Sequence, residues 1–263
     1  MRRAIVRHSA FPVRFPCSVG RDGFAYKRTP YFLPGGMLDA PSLPRYIRPM
    51  TRTQFSHVDT WVFDLDNTLY PPEAHLLEQL SPRMTDWIAA NLGLKRQEAD
   101  ELREDYWARY GTTAAGLMAK HDVAPAAFLA HAHDLPLDAL KPAPELAAAI
   151  AALPGRHLVF TNSPVDWAHR VLKETGLDHV FDAVHGAEDA QYIPKPKPQA
   201  FSKVFEVADI APQKAAFFED DSRNLEVPAR LGMRTVHVSP NPETAPYIHH
   251  GTQDLTAFLR DIA

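Results

Sequence analysis

Five short apolar runs, at 60–64, 157–161, 181–184, 214–218 and 234–238, alternate with longer segments of helical spacing. No other feature of the chain limits its fold as strongly. Runs of four or five apolar residues between polar stretches predict strands buried on both faces. The segments 164–175, 198–208, 222–231 and 252–262 predict helices. Strand–helix alternation implies an α/β fold with a doubly wound parallel sheet. Ligands of such sheets bind beyond the carboxyl ends of the strands. The residues at those ends are therefore the candidates for chemistry.

The first run, Trp61-Val62-Phe63, passes directly into Asp64-Leu65-Asp66-Asn67-Thr68-Leu69. Alternate side chains of an extended segment share a face, so Asp64 and Asp66 would point the same way. Two carboxylates that close repel, and a bound cation or a shared proton relieves the repulsion. The pair points to a hard divalent metal, with one acid for nucleophilic attack and the other for proton transfer. Three further clusters follow in order. His157–Phe160 ends at Thr161-Asn162-Ser163. Pro194-Lys195-Pro196-Lys197-Pro198 comes next. Ala215–Phe218 then ends at Glu219-Asp220-Asp221-Ser222, with Asn224 close behind. Together they offer a nucleophile, a small phosphate-binding hydroxyl, a cation and a metal site.

These four ordered motifs, over residues 57–263, resemble the haloacid dehalogenase-like hydrolase superfamily. The resemblance implies a Rossmann-like core. It implies Asp64 as nucleophile, forming an aspartyl-phosphate, and Asp66 as general acid/base. Dehalogenase members lack the second acid, so Asp66 favours phosphoryl chemistry. Thr161 and Asn162 would bind phosphate oxygens, although Asn162 and Ser163 have a competing use as helix caps. Lys195 would bind phosphate and neutralise developing charge. Lys197 is the rival, but the pattern Lys-Pro-x-Pro-x-x-Phe over 195–201 favours Lys195. The family pattern Glu-Asp-x-x-x-Asn falls on Glu219, Asp220 and Asn224. Asp64, the backbone carbonyl of Asp66, and Asp220 would then hold Mg²⁺, with Glu219 beside the metal and Asp221 exposed or capping the next helix.

More than 90 residues separate the first and second strand candidates. They read as helices over 75–92, 95–110, 112–121 and 125–132. The stripe Leu76, Leu77, Leu80, Met84, Trp87 and Ile88 is helical in spacing and reads as plain core packing. An insertion directly after the first motif resembles the small all-helical cap of the superfamily's first subgroup. The expected organisation is a core over 57–74 and 142–263, a cap over 75–141, and hinges at Pro71-Pro72 and Pro142–Pro144.

Residues 1–56 contain Pro12, Pro16, Pro30, Pro34, Pro41, Pro44 and Pro49 as breakers and show no sustained period. They are expected to be a largely disordered extension. A start at Met50 is the preferred explanation, and a transit peptide the other. Charge divides unevenly. Residues 1–50 carry nine Lys+Arg and two Asp, leaving 19 basic and 30 acidic residues beyond them. A body that acidic is poorly suited to nucleic acid backbone. No apolar run approaches the length of a membrane span. Cys17 is the one cysteine, which excludes an internal disulfide and fits a cytoplasmic location. The 13 histidines lack the H-E-x-x-H pattern of a zinc site.

Substrate is less sharply marked. Tyr70-Pro-Pro after the first motif, Tyr110-Gly-Thr-Thr113 with Gly116-Leu-Met118, and Arg223-Asn-Leu225 resemble the pyrimidine 5′-nucleotidase branch. That implies a small phosphorylated substrate, UMP or CMP. Tyr70, Tyr106 and Tyr110 are candidates to stack the base, against the commoner use of such tyrosines in packing. Alternatives are a phosphatase or mutase of small phosphosugars or phosphoglycolate, and a phosphate-ester-binding regulatory protein. Oligomeric state is not legible.

Overall fold

The computed structural model describes residues 52–263. The expected disorder of 1–51, the start at Met50 and the targeting role lie outside the described residues. Phe55, which the sequence reading gives to the extension, is buried. Its ring stacks on Trp61 at 5.9 Å and meets Phe258 edge-on at the same distance.

Six parallel strands form one sheet in the order β3-β2-β1-β4-β5-β6. They are β1 (Thr60–Phe63), β2 (Arg156–Phe160), β3 (Ala183–His185), β4 (Ala215–Glu219), β5 (Arg234–Val238) and β6 (His250–Thr252). The sixth is an addition to the five expected. His-Gly-Thr carries no apolar run and pairs only along the edge, with Val236 opposite His250. Alternate residues of β1 enter opposite cores. Trp61 and Phe63 join Phe218, Val236 and Val238 on one face, while Val62 joins Leu158, Phe160 and Phe217 on the other. Both faces are thus dry, as the unbroken apolar runs require. Each such side chain contributes roughly 1.5–3 kcal/mol on burial.

Helices cover both faces. On the Trp61 face lie α5 (Pro144–Ala151), α6 (Val165–Thr175) and α9 (Leu255–Ile262). On the Val62 face lie α7 (Pro198–Val207) and α8 (Glu226–Leu231). The helix expected over 222–231 is split. Ser222–Leu225 is a 3₁₀ turn, capped by the Asp221 side chain on the Arg223 N–H. Only then does α8 begin.

Between β1 and β2 run α1 (Leu76–Leu92), α2 (Arg96–Tyr110), α3 (Thr113–His121) and α4 (Pro125–Ala132). These helices share a third core around Ile88, Ala99, Tyr106, Leu117 and Phe128. Gly116 lets α3 approach α2, since a Cβ there would lie 2.4 Å from Tyr106. The apolar stripe of α1 is divided: Leu76 and Leu80 pack in the sheet's core, Ile88 in the helical one. Leu77 is left partly exposed. Among the described residues no helix is long and apolar enough to cross a membrane.

Candidate active site

β1 lies at the centre of the sheet between β2 and β4. The ladder continues one step past it, where Asp64 N–H donates to Phe218 C=O at 2.9 Å. That step fixes Asp64 beside the end of β4. The chain then turns through Asn67, whose φ of 61° suits asparagine better than most side chains. Asp64, Asp66, Thr161, Lys195 and Asp220 all line one cavity of about 470 Å³. The α1–α4 helices form its other wall through Leu77, Met84, Arg103, Trp107 and Phe128.

Lys195 is buried at the floor. Its ammonium donates to Asp64 Oδ1 at 2.7 Å, Glu219 Oε2 at 2.7 Å and Phe160 C=O at 2.9 Å. It also lies over the rings of Phe160 and Phe217, at 5.1 and 5.2 Å. Burial opposes its charge, but Asp64 and Glu219 more than offset this and hold the ammonium pKa above its usual range. Asn162 fixes the segment from behind. Its Oδ1 accepts from Lys195 N–H at 2.8 Å and its amide donates to Lys195 C=O at 3.3 Å. Lys197 is half-exposed at the start of α7 and does not line the cavity.

Ligand atoms of Asp64, Glu219 and Asp220 lie within 4.8 Å of one another. Burial, reinforced by the charge on Glu219, pushes the Asp64 carboxyl up to about 8 despite Lys195. Burial likewise pushes Glu219 up to about 8, Lys195 opposing it and Asp220 adding to it. Asp220 is pushed up to about 6 by burial and by Asp64. One ammonium against three carboxylates leaves two negative charges when all are ionised. The Asn224 amide oxygen, which lines the same cavity, is buried without a partner. An all-oxygen set with that charge fits a hard divalent cation such as Mg²⁺.

The Asp66 carboxylate faces elsewhere. Oδ1 accepts from Tyr70 O–H at 2.7 Å and Trp167 Nε1–H at 3.0 Å. Oδ2 accepts from Ser163 O–H at 2.6 Å and, more weakly, Thr161 O–H at 3.4 Å. Thr161 Oγ1 in turn accepts from Ser163 N–H at 3.0 Å.

Residues 58–232 match the protein family described as haloacid dehalogenase-like hydrolase. The chain belongs to this family. Phosphate metabolism protein 8 of Saccharomyces cerevisiae is 28% identical over 191 residues, 67% of this chain. The match spans 59% of that relative's length. A haloacid dehalogenase-like phosphatase from Thermococcus onnurineus superposes with a TM-score of 0.54 at 22% identity, over 78% of this chain and 97% of its own. CbbY from Rhodobacter sphaeroides, solved in complex with phosphate, superposes with a TM-score of 0.53 at 18% identity, over 77% and 99%. A 2-haloacid dehalogenase from Pseudomonas syringae gives 0.52 at 19%, over 78% and 98%. At these identities the structures show the shared fold alone.

Several sequence expectations change in the structure. Ser163 does not cap α6: the N-cap position is Pro164, without a side-chain cap, and Val165 N–H is met by Glu188 Oε2 at 3.1 Å. The Ser163 hydroxyl is used on Asp66 instead. Asn162 is turned to the Lys195 backbone rather than to the helix. None of the tyrosines proposed for stacking lines the cavity. Tyr70 is buried with its hydroxyl on Asp66, and burial with the Asp66 charge pushes its pKa well up. Tyr106 bonds His121 at 2.7 Å and packs edge-on against Tyr110. The cavity's aromatic rings are those of Trp107, Phe128, His133 and Tyr192. Glu219, expected near the metal, is also the direct partner of Lys195. In the sequence Trp167 stands only as part of the helical segment 164–175. Its contact with Asp66 spans 101 residues, and no local signal marks it.

Proposed function

We propose that this hydrolase is a phosphomonoesterase working through an aspartyl-phosphate on Asp64, and that its substrates are pyrimidine nucleoside 5′-monophosphates. The observation that supports the chemistry best is the separation of the two acids. Asp64 sits among charges, against Lys195 and the acidic cluster, while Asp66 sits among neutral donors. A nucleophile and a proton carrier need that division.

An oxygen of Asp64 bonds to phosphorus as the bond from phosphorus to the leaving oxygen breaks. The leaving oxygen takes that electron pair and a proton from Asp66. A water oxygen then attacks phosphorus and gives its proton to Asp66, which releases phosphate and restores the Asp64 carboxylate. Lys195 neutralises charge throughout, and the Thr161 hydroxyl receives a phosphate oxygen. Asp64, Asp220 and the Asp66 backbone carbonyl, with Glu219 and Asn224 nearby, would hold Mg²⁺. Bound there, the ion would screen the phosphoryl charge from the carboxylates.

Size and lining of the cavity support a nucleotide. A volume of about 470 Å³ exceeds what phosphoglycolate needs, and Leu77, Leu80, Met84 and Phe128 supply an apolar wall for a flat ring. Trp107, Gly111, Thr112, Thr113 and Ala114 bring the segment 106–118 onto that wall. Phosphate release from UMP, CMP, AMP, GMP, phosphoglycolate and p-nitrophenyl phosphate, with Mg²⁺, tests the reading. UMP and CMP should show the highest kcat/KM. Equal rates for all nucleotides, or a preference for phosphoglycolate, would remove the nucleotidase assignment. No release from any ester would favour a binding protein.

A further inference from the structure

The two oxygens of Asp66 have donors of different kinds. Oδ1 meets Trp167 Nε1–H and Tyr70 O–H, and Oδ2 meets the hydroxyls of Ser163 and Thr161. An indole N–H can only donate, whereas an aliphatic hydroxyl can donate or accept. Oδ1 is therefore held as an acceptor whether or not the carboxyl carries a proton. Oδ2 can take a proton, because Ser163 and Thr161 can reverse and accept from it.

Trp167 is itself held rigidly. It is 1% exposed, its ring meets His133 edge-on at 5.2 Å, and the Arg170 guanidinium lies over it at 5.6 Å. Arg170 also donates to the carbonyls of His133 and Leu135. That segment is where the chain returns from α4 toward the sheet. The indole is thus braced between the sheet's core and the base of the helical insertion.

We propose that Trp167 and Tyr70 are positioning residues that anchor Asp66 Oδ1, so that Oδ2 is the oxygen that gives its proton to the leaving group and takes one back from water. The role rests on the phosphomonoesterase reading. The bond changes are those already written, with the proton that leaves Oδ2 balanced by the electron pair released to the ester oxygen. Without the anchors the carboxyl can rotate about its terminal torsion, and the proton is presented in the wrong direction.

The test uses Trp167→Phe and Tyr70→Phe in the full chain with Mg²⁺. β-Glycerophosphate has a basic alkoxide leaving group that needs a proton, and p-nitrophenyl phosphate has one that leaves without it. Each variant should lose at least about tenfold more kcat/KM on β-glycerophosphate than on p-nitrophenyl phosphate. Added to Asp66→Asn, neither should cause a further loss on β-glycerophosphate. Equal losses of kcat/KM on both esters, or full additivity, would reduce the two residues to packing and overturn the proposal. A readout independent of turnover is the indole N–H resonance of Trp167, assigned by its absence in Trp167→Phe. It should move upfield in Asp66→Ala, and a resonance unmoved in that variant, while the wild type turns over, overturns the anchor alone. A wild type inactive on both esters and on UMP and CMP would instead overturn the phosphomonoesterase reading and this role with it.

Discussion

Asp64 and Asp66 stand two residues apart and have opposite surroundings. Around Asp64 there are charges: Lys195 at 2.7 Å, with Glu219 and Asp220 close by. Around Asp66 there are neutral donors from Tyr70, Ser163, Thr161 and Trp167. Sequence spacing says only that two acids reach one cavity. Neighbours brought in from β2, α6, β4 and the segment before α7 decide what each can do. On the proposed mechanism, charge suits Asp64 to the metal and the phosphoryl group, and directed hydrogen bonds suit Asp66 to carrying protons.

The contrast can be broken most severely at Asp64. Asp64→Asn keeps the shape and removes the nucleophile, and should lower kcat by at least about 10⁴-fold while the folded circular-dichroism spectrum is kept. Turnover near wild type would refute a covalent route. Asp66→Asn should cost about 10²–10⁴-fold in kcat/KM on alkyl esters and much less in kcat/KM on p-nitrophenyl phosphate, where the loss falls on hydrolysis of the shared intermediate. A uniform loss of kcat/KM on all esters would mean that the two acids are not functionally distinct.

Lys195→Met probes the charged side alone. It leaves Asp64 and Glu219 buried without their cation, and breaking a buried ion pair in this way costs about 3–5 kcal/mol. Denaturant unfolding without metal at pH 8 should show it, and added Mg²⁺ should recover part. A loss under about 1 kcal/mol would contradict the paired geometry.

How much of this was legible in the sequence depends on how local each signal is. The buried strands announce themselves through Trp61-Val62-Phe63 and Ala215–Phe218, because two-sided burial demands unbroken apolar runs. β6 does not, since His-Gly-Thr at a sheet edge needs no apolar residue. Asp64 and Asp220 can be read from motifs at strand ends, and Lys195 from the proline-framed motif before α7. Their partners cannot. The Glu219 bond to Lys195 spans 24 residues and the Trp167 bond to Asp66 spans 101, and only the folded sheet brings these pairs together. Ser163 shows the limit from the other side. Local rules point to a helix cap, and a stronger, charged acceptor takes the hydroxyl instead.

Smaller effects sharpen the same contrast. Asp64, Glu219 and Asp220 have folded pKa values raised to about 8, 8 and 6, above their ordinary values of 3.8, 4.5 and 3.8. A raised carboxyl binds its proton more tightly in the folded state. Its contribution is therefore full at low pH and is lost as pH rises from the ordinary value through the raised one. Between about pH 4 and 8 the metal-free protein should lose stability from this cluster. Mg²⁺ binds the ionised form, so it should raise Tm more at pH 8.5 than at pH 5.5. Equal shifts at both pH values would count against this site. Smallest of all is the contact across the cavity mouth. The exposed Trp107 ring lies 5.4 Å from the Arg223 guanidinium, which Asp221 holds by two oxygens. Trp107→Ala removes a contact worth about 0.5–1 kcal/mol and should raise KM for UMP a few-fold with kcat little changed. A loss confined to kcat would place Trp107 in the chemistry instead.

The division of labour between the two acids is tested most directly by rapid mixing of Asp66→Asn with p-nitrophenyl phosphate and Mg²⁺. The leaving group needs no proton, so the first step should proceed, while hydrolysis of the aspartyl-phosphate lacks its base. The account predicts a burst of about one nitrophenolate per enzyme, with acid quenching leaving the phosphoryl group on the peptide that contains Asp64. Steady turnover with no burst and no phosphoryl group on Asp64, or a phosphoryl group recovered on another residue, would contradict it.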